Sequence, residues 1–220
     1  MIIGNGLIGT FFNNNASDDL KQNFIIFASG VSNSNETRIS EFEREYNLLK
    51  NCIGDKKIIY FSSSLVGIKQ NPYYHHKLKM EKFIQDNSDC LIIRIPQLIG
   101  FGGNSSNLFN YIKACIERDD IIKTNKTVKR ALLDVEDLLM IVEYCKNHSG
   151  IFSLSYIEKI KVIDICQIIG NCLGKQPLIQ ISHDIEDVEF STNSDLINTA
   201  ITDLNIDIDG YNERVIRKYI

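Results

Sequence analysis

Short apolar runs alternate along the chain with segments in which apolar residues recur every three or four positions. Met1–Ile3 predicts a short strand, Leu7 to about Lys21 a helix weakened by Asn13–Asn15, and Phe24–Ala28 a strong strand. Ser40–Cys52 carries Phe42, Tyr46, Leu49 and Cys52 at helical spacing. Lys57–Ser62 predicts a strand, Tyr73–Gln85 a helix and Cys90–Ile95 a strand. Asn107–Glu117 reads as a helix, followed by a strand pair or loop through Arg130. Val135–Asn147 predicts a helix, Ile151–Leu154 a strand, and Val162–Leu173 a helix with Ile163, Cys166, Ile169 and Cys172 on one side. Such strand–helix alternation predicts an α/β fold, a parallel sheet with helices on both faces. No linker or repeat divides residues 1–220, which are expected to form a single domain; residues 176–220 alternate less cleanly and predict a small lobe.

Composition narrows the function classes. The 220 residues are 44% hydrophobic and 24% charged, a globular balance that excludes a disordered tail or a rod. The formal net charge of −4 gives no field for holding polyanions, so nucleic acid is not the expected partner. No apolar run approaches the length of a membrane span: even Cys90–Gly100 carries Arg94 and Pro96. The first residues lead directly into a glycine motif, with no basic region before an apolar core, and the expected location is cytoplasmic. Cys52, Cys90, Cys115, Cys145, Cys166 and Cys172 form no Cys-x-x-Cys pair and fall within apolar periodic segments, so reduced thiols are expected. The histidines are His75, His76, His148 and His183; the adjacent pair would diverge by about 100° on a helix, and no metal site is expected.

Gly4-Asn5-Gly6-Leu7-Ile8-Gly9 is a G-x-G-x-x-G between a predicted strand and a predicted helix. Glycines let the backbone turn tightly and approach a pyrophosphate, and the helix N-terminus offers free N–H groups and a partial positive charge. By itself the motif fits either this cradle or a plain tight turn. The acidic ribose ligand expected about 20 residues later is absent, because Asp18 and Asp19 fall inside the predicted first helix rather than at a strand end.

A second cluster adds chemistry. Tyr60-Phe61-Ser62-Ser63-Ser64 ends a strand, and Tyr73-Tyr74-His75-His76-Lys77 opens a helix. Tyr73 and Lys77, four apart, share one helix face. An ammonium beside a phenol lowers its pKa toward working pH, and a strand-end serine can hydrogen-bond the same substrate oxygen. This set can move a proton to or from a carbonyl or alcohol while a nicotinamide moves hydride.

With these motifs in this order the sequence resembles the extended short-chain dehydrogenases/reductases, the NAD-dependent epimerase/dehydratase group that modifies nucleotide sugars. The resemblance implies a Rossmann-like domain with NAD or NADP as cofactor and a nucleotide-sugar substrate. Phe61-Ser62-Ser63-Ser64-Leu65-Val66-Gly67 matches the family's serine strand, with Ser63 at the catalytic position and Ser64 as second choice, at the substrate. Tyr73 and Lys77 match the catalytic pair, extended by Glu81. The implied cofactor contacts are Gly4, Asn5, Gly6, Leu7, Ile8, Gly9, Ala28, Ser29, Gly30, Tyr73, Lys77 and Pro96. Gln97 takes the place of a substrate-contacting Asn, Asn107-Leu108 resembles a segment near the nucleotide diphosphate, and Arg130 resembles a phosphate-binding Arg. Arg130 can equally be a solvated strand-end charge, Asn107 a helix cap, and His76 a packing residue.

The chain departs from the family by being shorter. After the first helix it passes directly to Phe24–Ala28, which matches the family's fourth strand, so the second and third strands, which hold the adenosine end of the cofactor, are missing. The substrate lobe, expected mainly from 97–135 and 176–220, is trimmed. A 4-keto reductase is the most economical activity of this class. The alternative is a non-catalytic binding or regulatory protein with a degenerate cofactor site. Loss of the flanking strands leaves Met1–Ile3 near a sheet edge, from which a homodimer is expected.

Overall fold

A computed structural model describes residues 1–105, 107–154, 158–182 and 194–220. His183 and part of the expected 176–220 lobe lie outside these residues. The chain divides into two compact units, one of Met1–Ile95, Val135–Tyr156 and Phe190–Ile206, the other of Pro96–Asp134, Ile157–Glu189 and Asp207–Ile220.

The first unit begins with β1 (Ile2–Ile3), α1 (Leu7–Asn15), α2 (Asp18–Asn23), β2 (Ile25–Phe27) and α3 (Ile39–Lys50). It continues with β3 (Ile58–Ser63), α4 (Pro72–Asn87) and β4 (Cys90–Ile95). The second unit opens with β5 (Gln97–Ile99), α5 (Leu108–Arg118), β6 (Ile121–Thr124), β7 (Lys129–Arg130) and β8 (Leu132–Asp134). The chain then returns to the first unit for α6 (Val135–Cys145) and β9 (Gly150–Ser153). It goes back to the second for β10 (Ile160–Lys161), α7 (Val162–Leu173) and β11 (Leu178–Ile181). Finally α8 (Asp195–Asp203) belongs to the first unit and α9 (Tyr211–Lys218) to the second.

The sheet of the first unit has the order β1-β2-β3-β4-β9, every pair parallel. β1 lies at an edge and pairs directly with β2, Ile2 opposite Ile26 and Ile3 opposite Phe27. This is the Rossmann-like arrangement without the two strands that would lie beyond β1. Helices cover both faces, so strand residues are buried whichever way they point. On one face Ile25, Phe27, Ile58, Tyr60, Cys90 and Ile92 pack with Leu49 of α3, with Cys52 just beyond it, and with Met80 and Ile84 of α4. On the other, Phe12 of α1 meets Phe61 edge to face at 5.5 Å. Arg94 of β4 reaches back to α4, its Nε and Nη2 donating to Glu81 at 2.9 and 2.6 Å.

The expected first helix breaks in two. Ala16 turns extended, and the Ser17 hydroxyl accepts from the Leu20 N–H at 3.1 Å with Asp18 and Asp19 in the first turn of α2. A serine cap followed by carboxylates at the positive end of a helix dipole starts a new helix there. Asp18 and Asp19 therefore open α2 rather than continue the first helix.

In the second unit, β5 pairs parallel with β8, β6 parallel with β11, and β7 antiparallel with β10. Asp134, at the end of β8, ties down α9. Its carboxylate accepts from Tyr219 Oη at 2.6 Å and Lys218 Nζ at 2.8 Å, and its N–H donates to Tyr211 Oη at 2.9 Å. Among the described residues no helix is long and apolar enough to cross a membrane. All six cysteines are free thiols; burial pushes Cys145 up to about 11 and Cys166 up to about 12, so neither is a thiolate at neutral pH.

Candidate active site

The glycine turn is built by backbone contact. Gly4 has φ +128°, and a Cβ there would run into the Ala28 carbonyl and come within 2.9 Å of the Ser29 nitrogen. A Cβ on Gly9 would run into the Gly4 carbonyl. Gly6 differs: a Cβ there would meet nothing within 4 Å. Gly6 is the N-cap of α1 and provides no side-chain cap, so the first N–H groups of the helix lie beside open space. Asn5 and Gly6 are exposed, Leu7 and Ile8 half-buried.

These contacts separate two kinds of glycine in one motif. Gly9→Ala is expected to lower the melting temperature sharply, because its methyl has only backbone to displace. Gly6→Ala, with φ −77° and open surroundings, is expected to melt close to the wild type. Thermal unfolding of the two variants checks this.

The Tyr/Lys helix starts cleanly. Asn71 caps α4, its side chain accepting from the Tyr74 N–H at 2.9 Å, and Pro72 occupies the first helical position, where no N–H is needed. Tyr73 and Lys77 then point to the same side, into the protein. The Tyr73 ring packs with Val31, Val66 and Tyr74, and Lys77 Nζ stands 5.9 Å from its centroid. Lys77 is 2% exposed. Its ammonium donates to Glu45 Oε1 at 3.0 Å and to Tyr60 Oη at 3.1 Å. A Cβ on Gly30 would lie 2.5 Å from Lys77 Nζ, so the residue after Ser29 forms the wall against which the ammonium rests.

Glu45 lies at the centre of this cluster, fully buried on α3. Burial alone would raise its carboxyl pKa. The Lys77 charge and hydrogen bonds from His76, Tyr60 and the Val31 N–H overcome that and hold it well below the usual range. His76 does more than pack: Nε2 is 3.0 Å from Glu45 Oε2 and the ring stacks on Phe42 at 4.6 Å. His75 turns away to Gln70 at 2.6 Å, as adjacent helical positions require. The Tyr-x-x-x-Lys spacing predicts that Lys77 lowers the Tyr73 pKa. Instead burial, first of all, and then Tyr74 and Glu45 push the Tyr73 phenol up. The ammonium is compensated by a carboxylate that sequence reasoning did not single out.

The serines lie at the end of β3. Ser63 Oγ accepts from the Leu65 N–H at 3.3 Å, and the Ser64 N–H donates to the Ile95 carbonyl at 2.9 Å. Ser62 is buried, and among the described residues its hydroxyl has no hydrogen-bond partner. Ser29 is held from outside by Arg44, whose Nη1 donates to its carbonyl oxygen at 3.0 Å. Thus Gly4, Asn5, Gly6, Leu7, Ile8, Gly9, Ala28, Ser29, Gly30, Ser63, Ser64, Tyr73 and Lys77 all belong to the first unit.

Pro96, Gln97, Asn107 and Arg130 belong to the second unit. Gln97 opens β5 with its N–H bonded to the Ala131 carbonyl at 3.2 Å. Asn107 caps α5: Oδ1 accepts from the Phe109 N–H at 3.0 Å and Nδ2 donates to the Leu98 carbonyl at 2.7 Å. Arg130 is half-buried in β7 opposite Ile160 and donates to the Lys129 carbonyl at 2.7 Å.

No protein-family model matches the chain. No curated protein matches it in sequence. Its fold, in contrast, matches solved structures over nearly its whole length. It is similar to Thermus thermophilus UDP-glucose 4-epimerase in complex with NAD, with 13% identity over 96% of this chain and 78% of that one at a TM-score of 0.69. It is also similar to Bacillus anthracis dTDP-glucose 4,6-dehydratase in complex with NAD, with 12% identity over 98% and 77% of the chains at a TM-score of 0.65. For RMD from Pseudomonas aeruginosa complexed with NADPH the identity is 16% over 89% and 79%, with a TM-score of 0.64. At such identities the likeness is one of fold: this chain has the Rossmann-like architecture of these proteins in a shortened form.

Proposed function

We propose that the protein is an NAD(P)-dependent oxidoreductase or epimerase acting on a nucleotide-activated sugar, most economically a 4-keto reductase with Tyr73 as proton donor. The observation that carries the reading is the role of Ala28–Gly30 as a common wall. Gly4 presses on Ala28 and Ser29 from one side, and Lys77 presses on Gly30 from the other. The glycine turn and the Tyr/Lys helix, far apart in sequence, therefore converge on one three-residue strand end. Crevices at the carboxyl ends of parallel strands are where such folds take ligands.

The turn fits a pyrophosphate: open space at Gly6 adjoins uncapped helix N–H groups. A bound nicotinamide supplies hydride to the sugar carbonyl carbon. Tyr73 Oη holds the proton destined for the carbonyl oxygen, and Ser63 steadies that oxygen by hydrogen bonding. Ser64, Gln97, Asn107 and Arg130 are the proposed substrate contacts, with Arg130 at a phosphate. The second reading is a binding protein without turnover, and the enclosure of Lys77 by Glu45 is what favours it.

Thermal shift with NADH and NADPH tests the proposal. One of the two is expected to raise the melting temperature, since a ligand at 100 times its Kd adds about 2.7 kcal/mol. Gly6→Ala is expected to weaken that shift while the free protein melts normally. No shift with either cofactor would remove the oxidoreductase reading.

A further inference from the structure

The Glu45 carboxylate accepts four hydrogen bonds from residues outside its own helix. Oε1 takes Tyr60 Oη at 2.6 Å from β3 and Lys77 Nζ at 3.0 Å from α4. Oε2 takes the Val31 N–H at 2.7 Å and His76 Nε2 at 3.0 Å. With two bonds on each oxygen the carboxylate is fixed in place. Lys77 meets it on one side, has Tyr60 Oη as a second acceptor, and is closed in by Gly30. Any side chain at position 30 would enter the space of the ammonium, so the glycine is part of the same device.

We propose that Glu45 is a positioning residue: its carboxylate clamps the Lys77 ammonium against Gly30 and Tyr60, so that Tyr73 is flanked by an ion pair rather than a free cation and serves as proton donor alone. The proposal rests on the assignment of Tyr73 made above and adds the direction in which that residue works. The ionisable groups facing Tyr73 are Tyr74 and Lys77 from α4, Glu45 from α3 and Tyr60 from β3; His76 acts through Glu45. A lone ammonium would stabilise a phenolate, whereas a carboxylate bonded to that ammonium cancels the effect. The neutral phenol can give its proton to a carbonyl oxygen while hydride from the reduced nicotinamide reaches the carbon. The products are the alcohol, the oxidised cofactor and a tyrosinate that regains a proton from solvent. The reverse direction needs tyrosinate at the outset and is expected to gain rate as pH rises.

The test is the absorbance of tyrosinate during alkaline titration, which requires no knowledge of the substrate. Subtracting the Tyr73→Phe titration from that of the wild type isolates Tyr73 among the nine tyrosines. In the wild type Tyr73 is expected to ionise above the ordinary tyrosine range. In Glu45→Gln, referenced to Glu45→Gln with Tyr73→Phe, it is expected to ionise at a pH about 1 to 3 lower than in the wild type. A merely structural Glu45 would change melting and leave this titration where it was. Ionisation at the same pH with and without Glu45, or at or below the ordinary range in the wild type, would overturn the proposal. Should Glu45→Gln fail to fold, Glu45→Asp, which draws the carboxylate back from Lys77, is titrated in its place; Tyr73 is expected to ionise at lower pH than in the wild type, and an unchanged Tyr73 titration would overturn the proposal. A chain that binds neither NADH nor NADPH would defeat the nucleotide-sugar reading and still leave the Glu45 clamp decided by the titration.

Discussion

Glu45→Ala is expected to be among the most damaging single changes in the protein, costing about 3–5 kcal/mol in denaturant unfolding. Its carboxylate is fully buried, and its removal strands the Lys77 ammonium, 2% exposed, leaving it the hydrogen bond to Tyr60 Oη without a counter-charge. The same truncation takes an acceptor from His76 and from the Val31 N–H. Lys77→Met should also be costly, because it leaves the carboxylate without its counter-charge. The double variant Glu45→Ala with Lys77→Met is expected to recover part of the loss, since removing both charges removes the uncompensated one. Strict additivity of the two single effects would show that the pair does not act as a unit. The pair also sets an acid dependence. Folding lowers the Glu45 pKa, so the unfolded chain binds the proton first. The stabilisation is therefore present above the ordinary glutamate range and is lost as pH falls through and below it. Urea midpoints measured across acidic pH should fall less steeply for Glu45→Gln than for the wild type.

Tyr73→Phe is expected to lower turnover by roughly 10²- to 10⁴-fold, the usual contribution of a positioned general acid. The ring can stay where it is, against Val31, Val66 and Tyr74, so melting should change little. Ser63→Ala should cost less, because water can replace part of the hydrogen bonding of a hydroxyl. Steady-state kinetics on a 4-keto nucleotide sugar, with melting measured in parallel, separates chemistry from folding. Retention of full activity by Tyr73→Phe would remove it as the donor. Lys77→Met is a poorer probe, because it disturbs the Glu45 ion pair as well as Tyr73.

Elements whose ends carry strong local signals were legible in the sequence. Cys90–Ile95 and Val162–Leu173 fall where the apolar pattern placed them. The missing strands were legible too, because so few residues separate Gly9 from Phe24 that β2 had to follow almost at once and pair with β1. The break at Ala16 was written in the Ser17-Asp18-Asp19 cap but hidden by an apolar pattern that carries on to the buried Leu20. Glu45 left a faint trace. It falls between Phe42, Tyr46 and Leu49, within the apolar face of α3, where a carboxylate is out of place unless it has a partner.

What the sequence by itself determined was local: a glycine turn able to approach an anion, a helix bearing tyrosine and lysine on one face, and a strand–helix alternation that requires a parallel sheet. These follow from backbone sterics and side-chain period, which act over a few residues. Only the tertiary structure decided which unit α7 and α8 join, and which groups surround Lys77. Glu45, Tyr60 and His76 come from α3, β3 and α4, and the sheet register and helix packing bring them within hydrogen-bond distance. The charge state beside Tyr73 is therefore set by residues distant in sequence, because electrostatics depends on separation in space and on burial, neither of which a local pattern records.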